Sequence, residues 1–194
     1  MTIVASPPST PPIPSRGVAE RPAPKLAHTG VLVGIATITM SFAALTSALV
    51  VRQGASPDWQ HFRLPSILYF NTLILIASSL TIETSRRRPS RALSWLYLTL
   101  ALGLTFVVGQ VLAWRDLAAQ GLFLATSPSS AFFYLFTALH GLHVLGGLVA
   151  LLYVRQRLRT SVPAAATALG AAALYWHFMA VLWVYLLSLL ALRI

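Results

Sequence analysis

The sequence predicts an all-α fold, an integral membrane bundle of five transmembrane helices, and three observations carry that prediction. Of 194 residues, 57% are hydrophobic and only 9% charged, against about 25% charged in an average soluble domain. Five apolar runs are long enough to cross a bilayer, which takes about 20 residues because a helix rises ~1.5 Å per residue across a hydrocarbon layer of ~30 Å. The basic residues fall between these runs, where they read as topology signals, so the formal charge of +10 does not point to a nucleic-acid partner. A helix also satisfies its own backbone polar groups, which lipid cannot do.

Residues 1–25 hold seven of the twelve prolines, mixed with Ser and Arg. Proline cannot continue a helix or donate a backbone hydrogen bond, so this segment reads as a disordered cytoplasmic tail ahead of a membrane domain over 26–194. The first apolar run is long and ends at Arg52, unlike the short core and small-residue cleavage site of a secretory signal, so no cleavage is expected. Spans are expected over about 29–51, 64–82, 92–113, 129–154 and 164–192. The last two are slightly long and able to tilt. Connections are short and leave no room for a soluble domain. Gly103, Gly109, Gly146 and Gly147 are expected at helix contacts, since small residues let backbones approach. Trp114, at the polar edge of the third span, reads as an interfacial anchor.

Cysteine is absent, which excludes disulfides, thiolate zinc sites, iron-sulfur clusters and a cysteine-bridged copper centre in this chain. The four acids are Glu20, Asp58, Glu83 and Asp116, each in a tail, a loop or at a helix end. No carboxylate is therefore expected at mid-membrane. His140 and His143 fall in the fourth span and His177 in the fifth, all roughly 17 to 21 Å into the membrane by the rise of the helix. His140 and His143 share a helix face and with His177 could form a three-nitrogen metal site. The expected arrangement is instead a hydrogen bond from each imidazole across helices to Ser, Thr, Asn or Tyr. Metal-dependent hydrolysis would want a carboxylate base at that depth, and the wide histidine spacing of stacked haems is missing. Asn71, Thr72, Ser78 and Ser79 in the second span, and Thr99, Thr105 and Gln110 in the third, are neutral and expected to bond between helices, at about 0.6 kcal/mol each. No broken helix points to transport, and no motif singles out a nucleophilic serine.

Four segments together resemble subunit III of the haem-copper oxidases, over about residues 28–192. The first is Arg63-Leu64-Pro65 through Asn71-Thr72 and Ser78-Ser79 to Glu83. The second is Leu102-Gly103 through Gly109-Gln110 to Trp114, with Leu117 and Gly121 after it. The third is Phe133-Tyr134 through Thr137 to His140-Gly141-Leu142-His143 and Gly146-Gly147. The fourth is Tyr175-Trp176-His177-Phe178, followed by Trp183. The resemblance implies the short five-helix bacterial form of cytochrome c oxidase subunit III, a non-catalytic subunit of a respiratory complex in aerobic electron transport. It would dock directly on catalytic subunit I, with subunit II and others completing the complex. Haem and copper would lie in those partners, with no cofactor or metal here, phospholipid as a possible ligand, and a role in stability and proton uptake. It marks Arg63, Asn71, Thr72, Ser78, Ser79, Gln110, Trp114, His140, Gly141, His143, Gly146, Gly147, Trp176 and His177 as structural or interface positions.

This chain departs from the family pattern in three respects. Many members have seven spans, the first two completing a lipid-holding cleft. Ile38 stands where many carry a glutamate, and Ala180 where an aspartate commonly follows the histidine, so His177 is expected to lack its usual partner. Two other readings stay open at this point: an accessory subunit of a nitric oxide reductase, and a free-standing transporter or haem-binding membrane protein.

Orientation follows from the basic residues. Ten (Arg16, Arg21, Lys25, Arg86, Arg87, Arg88, Arg91, Arg155, Arg157 and Arg159) fall on the amino-terminal side and only Arg52, Arg63, Arg115 and Arg193 opposite. That bias puts the N-terminus in the cytoplasm and, after an odd number of spans, the C-terminus in the periplasm of a bacterial inner membrane. In this cysteine-free chain, a lone Thr160→Cys should react with an impermeant thiol reagent only once the inner face is opened. Labelling of intact cells from outside would reverse the topology.

Overall fold

The computed structural model describes residues 24–55, 57–160 and 162–194. The part of the proline-rich tail over 1–23 lies outside them. Five helices follow in order: α1 (Pro24–Ala55), α2 (Ile67–Arg87), α3 (Ala92–Ala119), α4 (Pro128–Thr160) and α5 (Val162–Arg193), with a 3₁₀ turn at Pro89–Arg91. All five contain a stretch long and apolar enough to cross a membrane, as expected, and no strand occurs among the described residues.

Every helix overruns its apolar stretch. α4 has 33 residues, a length of ~50 Å against a hydrocarbon layer of ~30 Å. Its last turns carry Arg155, Arg157 and Arg159, and arginine is a good helix former, so the helix continues past the point where the apolar pattern stops. α1 likewise begins at Pro24, inside the segment assigned to the tail. A proline fits the first helical position, where its missing N–H has no partner to lose.

α2, α3, α4 and α5 close a ring in that order, α5 returning to α2, while α1 leans on α4 and α5 from outside. The inward stripe of α1 is narrow. Ile38, Phe42 and Leu49 are buried, the Phe42 ring lies 6.2 Å from that of Phe136 and 6.0 Å from that of His143, and Thr46 meets the Tyr185 hydroxyl at 2.9 Å. Ile38 thus faces the bundle as an apolar core residue.

The connections are held by local bonds rather than by length. Between α2 and α3, the Ser85 hydroxyl donates to the Ala92 carbonyl at 2.8 Å and ties the ends of the tight turn together. α3 ends at Gly121, whose φ of +79° is left-handed. There the N–H groups of Gly121 and Leu122 reach back to the carbonyls of Ala118 and Leu117, both at 3.0 Å, the pairing that closes a helix with glycine. α4 opens on a reciprocal cap in which Ser130 N–H donates to Ser127 Oγ at 3.2 Å and Ser127 N–H to Ser130 Oγ at 3.1 Å, with Pro128 at the first helical position. The end of α1 and the loop after it cap α5. Gln53 and Trp59 donate to the Arg193 carbonyl at 3.1 and 3.0 Å, and Phe62 N–H to that of Ile194 at 3.1 Å, filling acceptors that a helix end leaves open.

Candidate functional site

In a bilayer, lipid tails are as apolar as leucine, so burying apolar surface does not by itself bring helices together; close packing and cross-helix hydrogen bonds do. Both converge on Trp176 of α5. It is 1% exposed and its indole lies in a slot between two glycines. A Cβ on Gly103 of α3 would stand 2.9 Å from its Cη2, and one on Gly147 of α4 3.0 Å from its Cζ3. The indole N–H donates to Ser78 Oγ of α2 at 3.0 Å. One side chain therefore touches the three other helices of the ring.

The bond to Ser78 uses a device repeated twice more. Ser78 spends its own proton on the Leu75 carbonyl at 2.7 Å, which leaves its lone pairs for the indole. Trp183 donates to Thr72 Oγ1 at 3.0 Å while Thr72 donates to the Leu68 carbonyl at 2.9 Å. Trp114 donates to Thr137 Oγ1 at 3.0 Å while Thr137 donates to the Phe133 carbonyl at 2.7 Å. A helical Ser or Thr cannot leave its proton unpaired in lipid, so bonding it to the preceding turn frees the oxygen as an acceptor for a neighbouring helix. Trp114 is thus a cross-helix bond as well as an edge residue.

Asn71, buried in α2, donates through Nδ2 to the Phe106 carbonyl at 3.3 Å. Its amide fills the space that a side chain on Gly109 would need, so that position admits only hydrogen. One of the expected glycine contacts, that of Gly146, is corrected. Gly146 and Gly141 meet nothing within 4 Å where a Cβ would stand, and Gly146 is exposed, since it sits one residue, about a quarter turn, from the inward Gly147. Arg63 is an exposed residue of the loop before α2.

The three histidine rings diverge onto different neighbours. His140 faces the core, 5.9 Å from the Phe106 ring and 5.0 Å from that of Trp183. His143 lies against Phe42 of α1, with Nδ1 2.7 Å from the Leu139 carbonyl of its own helix. The expected cross-helix bond forms for His177 alone: its Nδ1 meets Ser79 Oγ. Among the described residues no three His, Cys, Asp or Glu side chains are grouped to hold a metal. With Ala180 in place of the usual aspartate, His177 has no carboxylate three residues on in its own helix, but Glu83 of α2 brings Oε2 to 3.6 Å from its Nε2. The partner comes from the adjacent helix, not from the position of Ala180 three residues on. Glu83 is shared with Arg86 and Arg87, each at 2.8 Å.

Thr99 makes the expected bond between helices, 2.8 Å from Thr81 of α2, but sequence reasoning did not name Thr81, and it missed the Tyr134 hydroxyl donating to the Leu122 carbonyl at 2.8 Å. The available signal was the placement of Thr81 three residues after Ser78, on the same helix face.

A ring of membrane-spanning helices tied together by indole, amide and hydroxyl bonds between neighbours is a multi-pass scaffold. Its family is shown by comparison: the cytochrome c oxidase subunit III family model matches residues 58–192. The probable cytochrome c oxidase subunit 3 of Mycobacterium tuberculosis is 33% identical over 178 residues, covering 86% of this chain and 88% of the relative. Cytochrome c oxidase subunit 3 of Thermostichus vulcanus is 33% identical over 175 residues, covering 83% and 84%, and that of Corynebacterium diphtheriae 31% over 175 residues, covering 83% and 85%. The chain belongs to the cytochrome c oxidase subunit III family and is an accessory subunit of a haem-copper oxidase.

The slot predicts a contrast between adjacent glycines. Gly103→Leu and Gly147→Leu should each cost about 1–3 kcal/mol by overpacking, lowering the unfolding midpoint of the purified assembly and the yield of this chain in it. Gly146→Leu should leave the midpoint unchanged. Equal effects at 146 and 147 would contradict the slot.

Proposed function

We propose that this subunit docks directly on catalytic subunit I, with subunit II and other chains completing the complex, and that haem and copper are held by those partners. The observation that carries this reading is the use of Trp176, Trp183 and Trp114: the conspicuous polar side chains of the interior are committed to Ser78, Thr72 and Thr137, which favours a support over a reaction centre. The family-motif residues Asn71, Thr72, Ser78, Ser79, Gln110, Trp114, His140, His143, Gly147, Trp176 and His177 then act by setting the shape of the docking body. Arg63, Gly141 and Gly146 lie outside the bundle's own tight helix contacts. The subunit maintains the stability and proton uptake of subunit I during oxygen reduction and binds phospholipid along its apolar flanks.

The protein resides in a bacterial plasma membrane with its N-terminus in the cytoplasm. The basic ends of α2 and α4 and the turn into α3, bearing Arg86, Arg87, Arg88, Arg91, Arg155, Arg157 and Arg159, support this because cytoplasmic segments retain arginine. The names of the relatives favour an oxidase over a nitric oxide reductase, and they favour a subunit over a free-standing transporter or haem protein.

Affinity purification of the chain from its native membrane should bring down subunits I and II with their haem and copper, and His143→Ala should leave that metal content intact. Isolation of the chain alone with stoichiometric haem would contradict the proposal, as would loss of copper in the variant.

A further inference from the structure

Two buried side chains leave the hydrogen-bond accounting of the bundle open. His140 of α4 is 0% exposed and Gln110 of α3 4%, and among the described residues neither ring nitrogen of His140 nor either amide atom of Gln110 has a partner. Such groups are costly in a protein interior and are ordinarily paired with protein or with ordered water.

The register of α3 against α4 places the two at one depth. These helices are consecutive and antiparallel. Trp114 bonds to Thr137, and a side chain on Gly103 would meet Leu148, so the α4 residues level with Gln110 are 140 and 141. Phe106, one turn from Gln110 on the same buried face of α3, has its ring 5.9 Å from that of His140. The nearest polar donors are already used. The Trp183 indole N–H is used on Thr72, and the Asn71 Nδ2 on the Phe106 carbonyl. Phe106 has no polar group on its side chain, and the next inward residue of α3 is Ala113, a buried methyl.

A neutral imidazole carries one donor and one acceptor, and a primary amide two donors and a carbonyl. A direct bond between His140 and Gln110 would satisfy one atom of each and leave the other two orphaned, at about 1–3 kcal/mol apiece. A water molecule, with two protons and two lone pairs, accepts from one side chain while donating to the other, and further water joined to it takes the two atoms that a direct bond would leave orphaned. We infer that His140 and Gln110 form an internal water-binding site between α3 and α4, buried at mid-membrane and separate from the Trp176 slot. The bridge couples the two helices where neither side chain can do so alone.

A map of the purified complex at about 2 Å or better should show density within hydrogen-bonding distance of both side chains, at the separations normal for water. A direct His140–Gln110 bond with no such density would overturn the inference. Independently, His140→Leu and Gln110→Leu should each raise the unfolding constant of the assembly roughly three- to tenfold, because each orphans the water and the remaining partner. The double variant should be no worse than either single one, since both sides of the bridge are then apolar. Single effects that add in the double variant would overturn it.

Discussion

The indole of Trp176 is the constraint from which the ring of helices follows. It carries the bulk of a tryptophan into a point where α2, α3 and α4 all approach α5, and it fits because Gly103 and Gly147 yield their side-chain volume to it. The single polar atom of the ring reaches Ser78. Van der Waals contact around the six-membered ring and a hydrogen bond from the pyrrole N–H are the two forces available in lipid, and here one residue supplies both. Among the described residues α1 has no such anchor, packs on α4 and α5 alone of the helices, and buries a narrow stripe.

The three indole–hydroxyl bonds spread that logic along the membrane normal. Trp114 to Thr137 secures α3 to α4 near one end, Trp183 to Thr72 secures α5 to α2, and Trp176 to Ser78 joins the same two helices further along. In each pair the hydroxyl proton is consumed within its own helix, so the acceptor is oriented before the helices meet. Preset geometry of this kind makes modest bonds specific, since an indole arriving in another register finds no acceptor.

The five spans were legible because the length of an apolar run is set by bilayer thickness, a constraint any fold must obey. The helix ends were not, because Arg and Gln prolong a helix in the polar headgroup region without prolonging the apolar pattern. The inward faces were also hard to read. These helices are apolar nearly all round, so periodicity does not mark the core side as it does in a soluble protein. That is why Gly147 could not be told from Gly146 before the structure set one against Trp176 and the other outward. The polar residues were better guides. Thr72, Ser78 and Ser79 all bond to α5 as their chemistry requires, with Trp183, Trp176 and His177 as partners. His177 shows what the sequence left out: the position of Ala180 lies on its own helix, while the carboxylate that faces it, Glu83, comes from a neighbouring helix.

As an accessory subunit of a haem-copper oxidase, the chain contributes a shape that persists in lipid, and Trp176 holds that shape. The direct test is a double-mutant cycle on Trp176→Phe and Ser78→Ala, read as the unfolding midpoint of the purified assembly. Each single change should lower the midpoint, Ser78→Ala by orphaning the indole N–H, and the double change should cost less than the two combined by about 0.5 kcal/mol or more. Strictly additive effects would mean that the indole and the hydroxyl do not act together, and the slot would then be a matter of bulk alone.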